Sequence, residues 1–244
     1  MSWELIYVVS GLAILPVLLW AIIASIRVTT VIERYHHVES GSKYTAKELV
    51  ERIAVENQLN IQVEEATHNM GDHYDPQTKT VRLTSKVLYS NSVSALAIAA
   101  HECGHALQDA HNYAPLRVRN LVIRVSNFSS RLLTPLIIIS FVATLFTAGL
   151  AMDYMLWALL GFCIIYGLSA LISLITLPTE FDASRRGKQL LEAMNIIETS
   201  KERRGVRKVL SAAANTYVVS FAMSLIYFLR YLSYFMILTG RRRR

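Results

Sequence analysis

Five consecutive residues carry the chain's most specific chemistry: His101, Glu102, Cys103, Gly104 and His105. They form an HExxH pattern. On an α-helix, residues four apart lie about 40° apart around the axis, so both imidazoles face one point. Two imidazoles one turn apart can share a tetrahedral zinc ion. A glutamate beside the first can take a proton from a water molecule at the metal. The neighbouring Ala, Leu and Ile residues favour burial of this helix over a solvated face. Buried histidines and a glutamate without partners are costly, and a metal removes that cost.

A catalytic zinc needs a third protein ligand and one open position. His111 stands six residues after His105, but the glycine that would let the chain curl back is Gln108 here. If the helix runs through Gln108, His111 lies about 9 Å further along the axis and on another face. His68 and His73 flank a turn signal, and Asp109 is better suited to orienting an imidazole than to binding metal. Glu180 is the strongest candidate, because it directly follows an apolar hairpin that returns the chain to the surface it left. Tyr217 is a candidate second electrophile, although its place at a membrane boundary favours an interfacial aromatic.

The elements that must position these residues are legible from the charges. No Asp, Glu, Lys or Arg falls between Glu4 and Arg27, Arg131 and Asp153, Asp153 and Glu180, or Lys208 and Arg230. Each run has the roughly 20 residues a helix needs to span a bilayer. About four transmembrane helices are therefore expected in a mainly α membrane protein. A small α+β zinc-peptidase domain should accompany them, interrupted by a transmembrane hairpin. The expected boundaries are a first membrane helix at 1–27, a peptidase region at 28–131, the hairpin at 132–177, a third-ligand helix and basic segment at 178–209, a last membrane helix at 210–240 and a basic tail at 241–244. Of 25 Lys and Arg, 20 lie in the two polar segments. The positive-inside rule puts both in the cytosol, with the N-terminus and the turn at Asp153 outside. The tail Arg241–Arg244 suits anionic lipid better than nucleic acid, and no nucleic-acid partner is expected.

Within the polar region, Thr45 and Glu48 form a capping box for a helix over 44–57. Segments 60–66 and 79–84 read as strands of a hairpin turning at Asp75-Pro76. The strand over Thr80–Thr84 is a candidate for pairing with an extended substrate. Asn91 or Ser92 caps the HExxH helix over 93–110, and Pro178 opens a new helix.

The strings His101–Asp109, Gly71–Leu83 and Leu177–Ser184 resemble the YugP family of zinc metallopeptidases of bacterial membranes, across nearly the whole chain. More remotely, the order of elements is similar to HtpX-type and CAAX prenyl proteases. Their Glu-aromatic-x-Ala-Asp motif matches at Glu180, Phe181 and Ala183, while Ser184 replaces the aspartate. The resemblance implies Zn2+ held by His101, His105 and Glu180, with Glu102 as general base and Asp182 as a supporting carboxylate. It implies hydrolysis of protein or peptide substrates at the cytosolic side of a bacterial plasma membrane, with the lipid bilayer as the other partner. The contrasting expectation is a non-enzymatic membrane adaptor with a closed metal site, which requires a fourth protein ligand.

Overall fold

The computed structural model describes residues 2–67, 70–119 and 151–242, with positions 121, 135, 138 and 142. Among the described residues the bounded elements follow in the order α1 (Trp3–His36), α2 (Ala46–Glu56), β1 (Gln62–Glu65), β2 (His73–Asp75), β3 (Thr80–Leu83), α3 (Ser85–Leu88), α4 (Val93–Ala110), α5 (Ala151–Ala193) and α6 (Ser200–Arg242), and 114–119 are helical as well. The chain divides into two compact units. One comprises Met1–Ile23, Val118–Thr176 and Tyr217–Arg244, and the other Ala24–Arg117 and Leu177–Thr216.

The first unit is apolar on its outside. Leu5, Val8, Leu12, Leu15 and Ile23 of α1 are all exposed, an arrangement water would penalise and hydrocarbon does not. Among the described residues, three helices are long and apolar enough to cross a membrane: α1, α5 and α6. The first arm of the expected hairpin, from Leu132 toward Asp153, lies almost wholly outside the described residues. Within this unit, Arg230 of α6 sits over the Tyr7 ring of α1, 4.3 Å from its centroid, and donates to the Tyr7 hydroxyl.

The second unit holds the hydrophobic core. Leu49, Val50 and Ile53 of α2, Val81 and Leu83 of β3, Leu96 and Ala97 of α4, Leu191 of α5 and Val206 of α6 are essentially inaccessible. Each large apolar side chain so buried contributes about 1.5–3 kcal/mol. The amphipathic helix α2 begins at Thr45, which accepts from the Glu48 N–H while Glu48 accepts from the Thr45 N–H, completing the capping box.

The sheet corrects the expected hairpin. Its order is β1-β3-β2, with β1 parallel and β2 antiparallel to β3. The turn at Asp75-Pro76 is real: the Asp75 carboxylate accepts from Gln77 N–H and Thr78 Oγ1. However, such a turn closes only on the strand that touches it. That strand is His73-Tyr74-Asp75, three residues without the apolar alternation that announces a strand. β3 is thus paired on both sides, and Thr80–Thr84 has no free edge with which to receive a substrate strand.

The expected break at Pro178 is also corrected. α5 runs through it without interruption. An interior proline removes one helical N–H donor and crowds the carbonyl four residues before it. Here Thr176, Thr179, Glu180 and Ala183 around it are buried, so packing on both sides of the proline holds the axis. α1 likewise extends past 27 to His36, with Thr29 and Thr30 bonding back to Ser25 and Ile26 carbonyls.

Candidate metal centre

α4 starts where Ser92 accepts from the Ala95 N–H, and its apolar, Ala-rich sequence sinks it into the second unit. Two glycines decide how closely α5 lies against it. A Cβ on Gly104 would meet the Ala183 carbonyl oxygen at 2.3 Å, and one on Gly187 would meet the Ala100 oxygen at 2.6 Å. Ala100 and Gly104 on one helix thus interlock with Ala183 and Gly187 on the other, running antiparallel. Only with hydrogen at both positions do the backbones come this close.

That approach brings His101, His105 and Glu180 together, with one ligand atom from each lying within 4.8 Å of the others. Glu180 Oε2 is 3.2 Å from His101 Nε2 and 3.6 Å from His105 Nε2. Zinc bonds of about 2.0–2.1 Å at tetrahedral angles separate neighbouring ligand atoms by about 3.4 Å, so the donor set fits such an ion. Glu180 and His105 are buried. Burial disfavours the Glu180 carboxylate, but His101 and His105 outweigh it and hold the group ionised well below the usual range.

The other ring nitrogens are also engaged. Gln108, fully buried, donates from Nε2 to the Thr179 carbonyl at 2.8 Å and to Asp182 at 3.0 Å. Both partners only accept, which fixes the amide orientation. Its Oε1 therefore faces His105 Nδ1, 3.0 Å away. His105 therefore donates from Nδ1 to that oxygen, which fixes the ring with Nε2 facing Glu180. His101 Nδ1 lies 3.1 Å from Ser184 Oγ. Asp182, itself held by Arg185 and Arg186, reaches His105 through Gln108.

Glu102 is buried, and its Oε2 accepts from the Tyr74 N–H of β2 at 2.8 Å. The edge strand thus ties down the carboxylate beside the histidines. The Cys103 thiol is fully buried, and burial with Glu102 close by pushes it well above the ordinary thiol range.

Asp109, His111 and His73 have other partners. Asp109 accepts from Tyr74 Oη and pairs with Lys79. His111 caps α4, and its Nδ1 lies 3.2 Å from Arg186. There Asn112 takes a left-handed φ of 54°, and the Tyr113 N–H returns to the Gln108 carbonyl at 2.8 Å. This Schellman closure ends the helix past Gln108 and carries His111 away. His73 bonds the Gly71 carbonyl through Nδ1. His68 lies outside the described residues, and Tyr217 belongs to the first unit. Sequence reasoning missed Gln108, Ser184 and Tyr74 as supports. The signal for Gln108 was its place three residues after His105, on a neighbouring helical position.

The family described as "Putative neutral zinc metallopeptidase" matches residues 10–236. The chain is 37% identical over 238 residues to the "Putative membrane protease YugP" of Bacillus subtilis (strain 168), covering 97% of this chain and 99% of that relative. No solved structure matches it.

Proposed function

Since the chain belongs to this zinc metallopeptidase family, we propose that it is a membrane-embedded, zinc-dependent endopeptidase acting on membrane or membrane-proximal proteins. The observation that carries this reading is the convergence of His101 Nε2, His105 Nε2 and Glu180 Oε2, with the opposite edge of each imidazole already engaged. In this reading those three residues hold the ion. Among the described residues no fourth ligand joins them, which favours an open catalytic site over the closed site of an adaptor.

Zinc, when bound, supplies Lewis-acid polarisation of a carbonyl and acidifies water. The chain's own residues do the rest. Glu102, fixed at Oε2 by Tyr74 N–H, accepts the proton of the attacking water and returns it to the leaving amine. Gln108 accepts from His105 Nδ1 and Ser184 bonds His101 Nδ1, so both rings are oriented with Nε2 toward Glu180. The positive-inside rule supports a cytosolic side for this chemistry.

Purified full-length protein should bind one zinc per chain. His101→Ala, His105→Ala and Glu180→Ala should each lose it, while Glu102→Gln should keep zinc yet lose cleavage of membrane-protein substrates by at least about a hundredfold. Full zinc retention by Glu180→Ala would remove it from the ligand set. Undiminished cleavage by Glu102→Gln would exclude the mechanism.

A further inference from the structure

A second concentration of charge lies where the C-terminal end of α1 meets the start of α6, within the second unit. A cleft of about 310 Å3 opens there, lined by Arg34, Tyr35, Val38, Lys201, Arg204 and Lys208. Four of these are cations and none is an acid. Lys201, Arg204 and Lys208 follow at spacings of three and four, so they share one face of the helix. Tyr35 packs beside this face because Gly205 has no side chain: a Cβ there would meet Tyr35 Cε1 at 2.7 Å. The ring lies against the helix and lines the cleft together with the four cations.

The carboxylates next along these helices are committed elsewhere. Glu33 pairs with Lys86 and His37. Glu202 accepts from the N–H groups of Gly41 and Thr199. Like charges at these spacings repel, and an arrangement without local neutralisation calls for an anion from outside. The position says which. Lys208 directly precedes the apolar run of α6, and Arg34 lies seven residues past the end of the α1 run at Arg27, or about 10 Å along the axis. That is the depth of lipid headgroups. A neighbouring cleft between α5 and α6, lined by Lys188, Glu192, Ser200, Arg203, Arg204 and Arg207, includes a carboxylate and is the weaker site.

We infer that the cleft between Arg34 and the Lys201–Arg204–Lys208 face binds the phosphate of an anionic lipid headgroup, with Tyr35 in its lining. The headgroup neutralises the cationic face, while the acyl chains stay in the bilayer.

The test uses detergent-solubilised full-length protein and native mass spectrometry, with dioctanoyl phosphatidylglycerol, dioctanoyl phosphatidylcholine and inorganic phosphate as probes. Phosphatidylglycerol should bind at least about tenfold more tightly than phosphatidylcholine. Lys201→Gln/Arg204→Gln/Lys208→Gln should weaken it by about a hundredfold, and Arg204→Gln alone by about fivefold. The charge-matched Lys188→Gln/Arg203→Gln/Arg207→Gln should change it little, with far-UV circular dichroism checking the fold of each variant. Inorganic phosphate binding as tightly as the lipid, and lost in the first triple variant, would uphold the cleft with a soluble phosphate as its ligand. Unchanged lipid affinity in the first triple variant, or equal loss in both, would overturn the proposal.

Discussion

Gln108 shows how much of a metal site rests on a side chain that never touches the metal. Its amide is satisfied at Oε1 and Nε2 by His105, Thr179 and Asp182, so it has no freedom to rotate. Gln108→Ala removes the acceptor that holds the His105 proton on Nδ1. Zinc affinity measured by chelator competition should fall by about 10- to 100-fold, with the helical content unchanged. Unaltered affinity would mean that packing alone orients His105. The residue types of HExxH could be read for chemistry because their spacing on any helix is fixed. Gln108 could not, because its contribution depends on Thr179 and Asp182, more than seventy positions away.

Helix α4 is positioned by what Gly104 lacks. Alanine in a helix interior ordinarily gains up to about 1 kcal/mol over glycine, yet here its Cβ would strike a backbone carbonyl, which has no rotamer by which to move aside. Gly104→Ala should therefore destabilise by about 1–3 kcal/mol in thermal unfolding and lower zinc content together. A rise in Tm would show that the two helices can separate at no cost. The start of α6 supplies a second element-scale test. Glu202 is buried, which disfavours its charge, but the N–H groups of Gly41, Thr199 and Glu198 and the Thr199 hydroxyl more than compensate. They hold its pKa at about 2, against 4.5 for an ordinary glutamate. A depressed folded-state pKa gives stability that is fully present above about pH 4.5 and is lost as pH falls toward 2. Glu202→Gln should remove up to about 3 kcal/mol at neutral pH and flatten the acid limb of the stability profile between those values. An unchanged limb would show that the loop at Gly41 does not depend on this carboxylate. The capping box at Thr45 and the Ser92 cap were legible because such signals are local. The passage of α5 through Pro178 and the small strand β2 were not, since buried neighbours decide both against local preference.

At the scale of the whole chain, charge-free runs long enough to cross a membrane are visible in sequence because lipid tolerates so little else. The positive-inside rule gives the side expected of each segment. Cysteines introduced at Asn57 and Ser200 should resist an impermeant maleimide in intact cells, while those at Ser2 and Asp153 should react. With four crossings, position 244 should react too. External labelling at 57 or 200 would invert the orientation, and protection at 244 would mean that the last apolar segment does not cross. Both native thiols, Cys103 and Cys163, are buried and unpaired with each other, so the experiment can use the unaltered chain and leave the HExxH helix intact. The same burial has a physiological consequence. A thiol must be exposed and ionised to be oxidised or alkylated, and Cys103, although flanked by the residues of the candidate centre, is neither. Peroxide and thiol reagents should find no purchase there, so Cys103 should stay reduced whatever the redox poise around it.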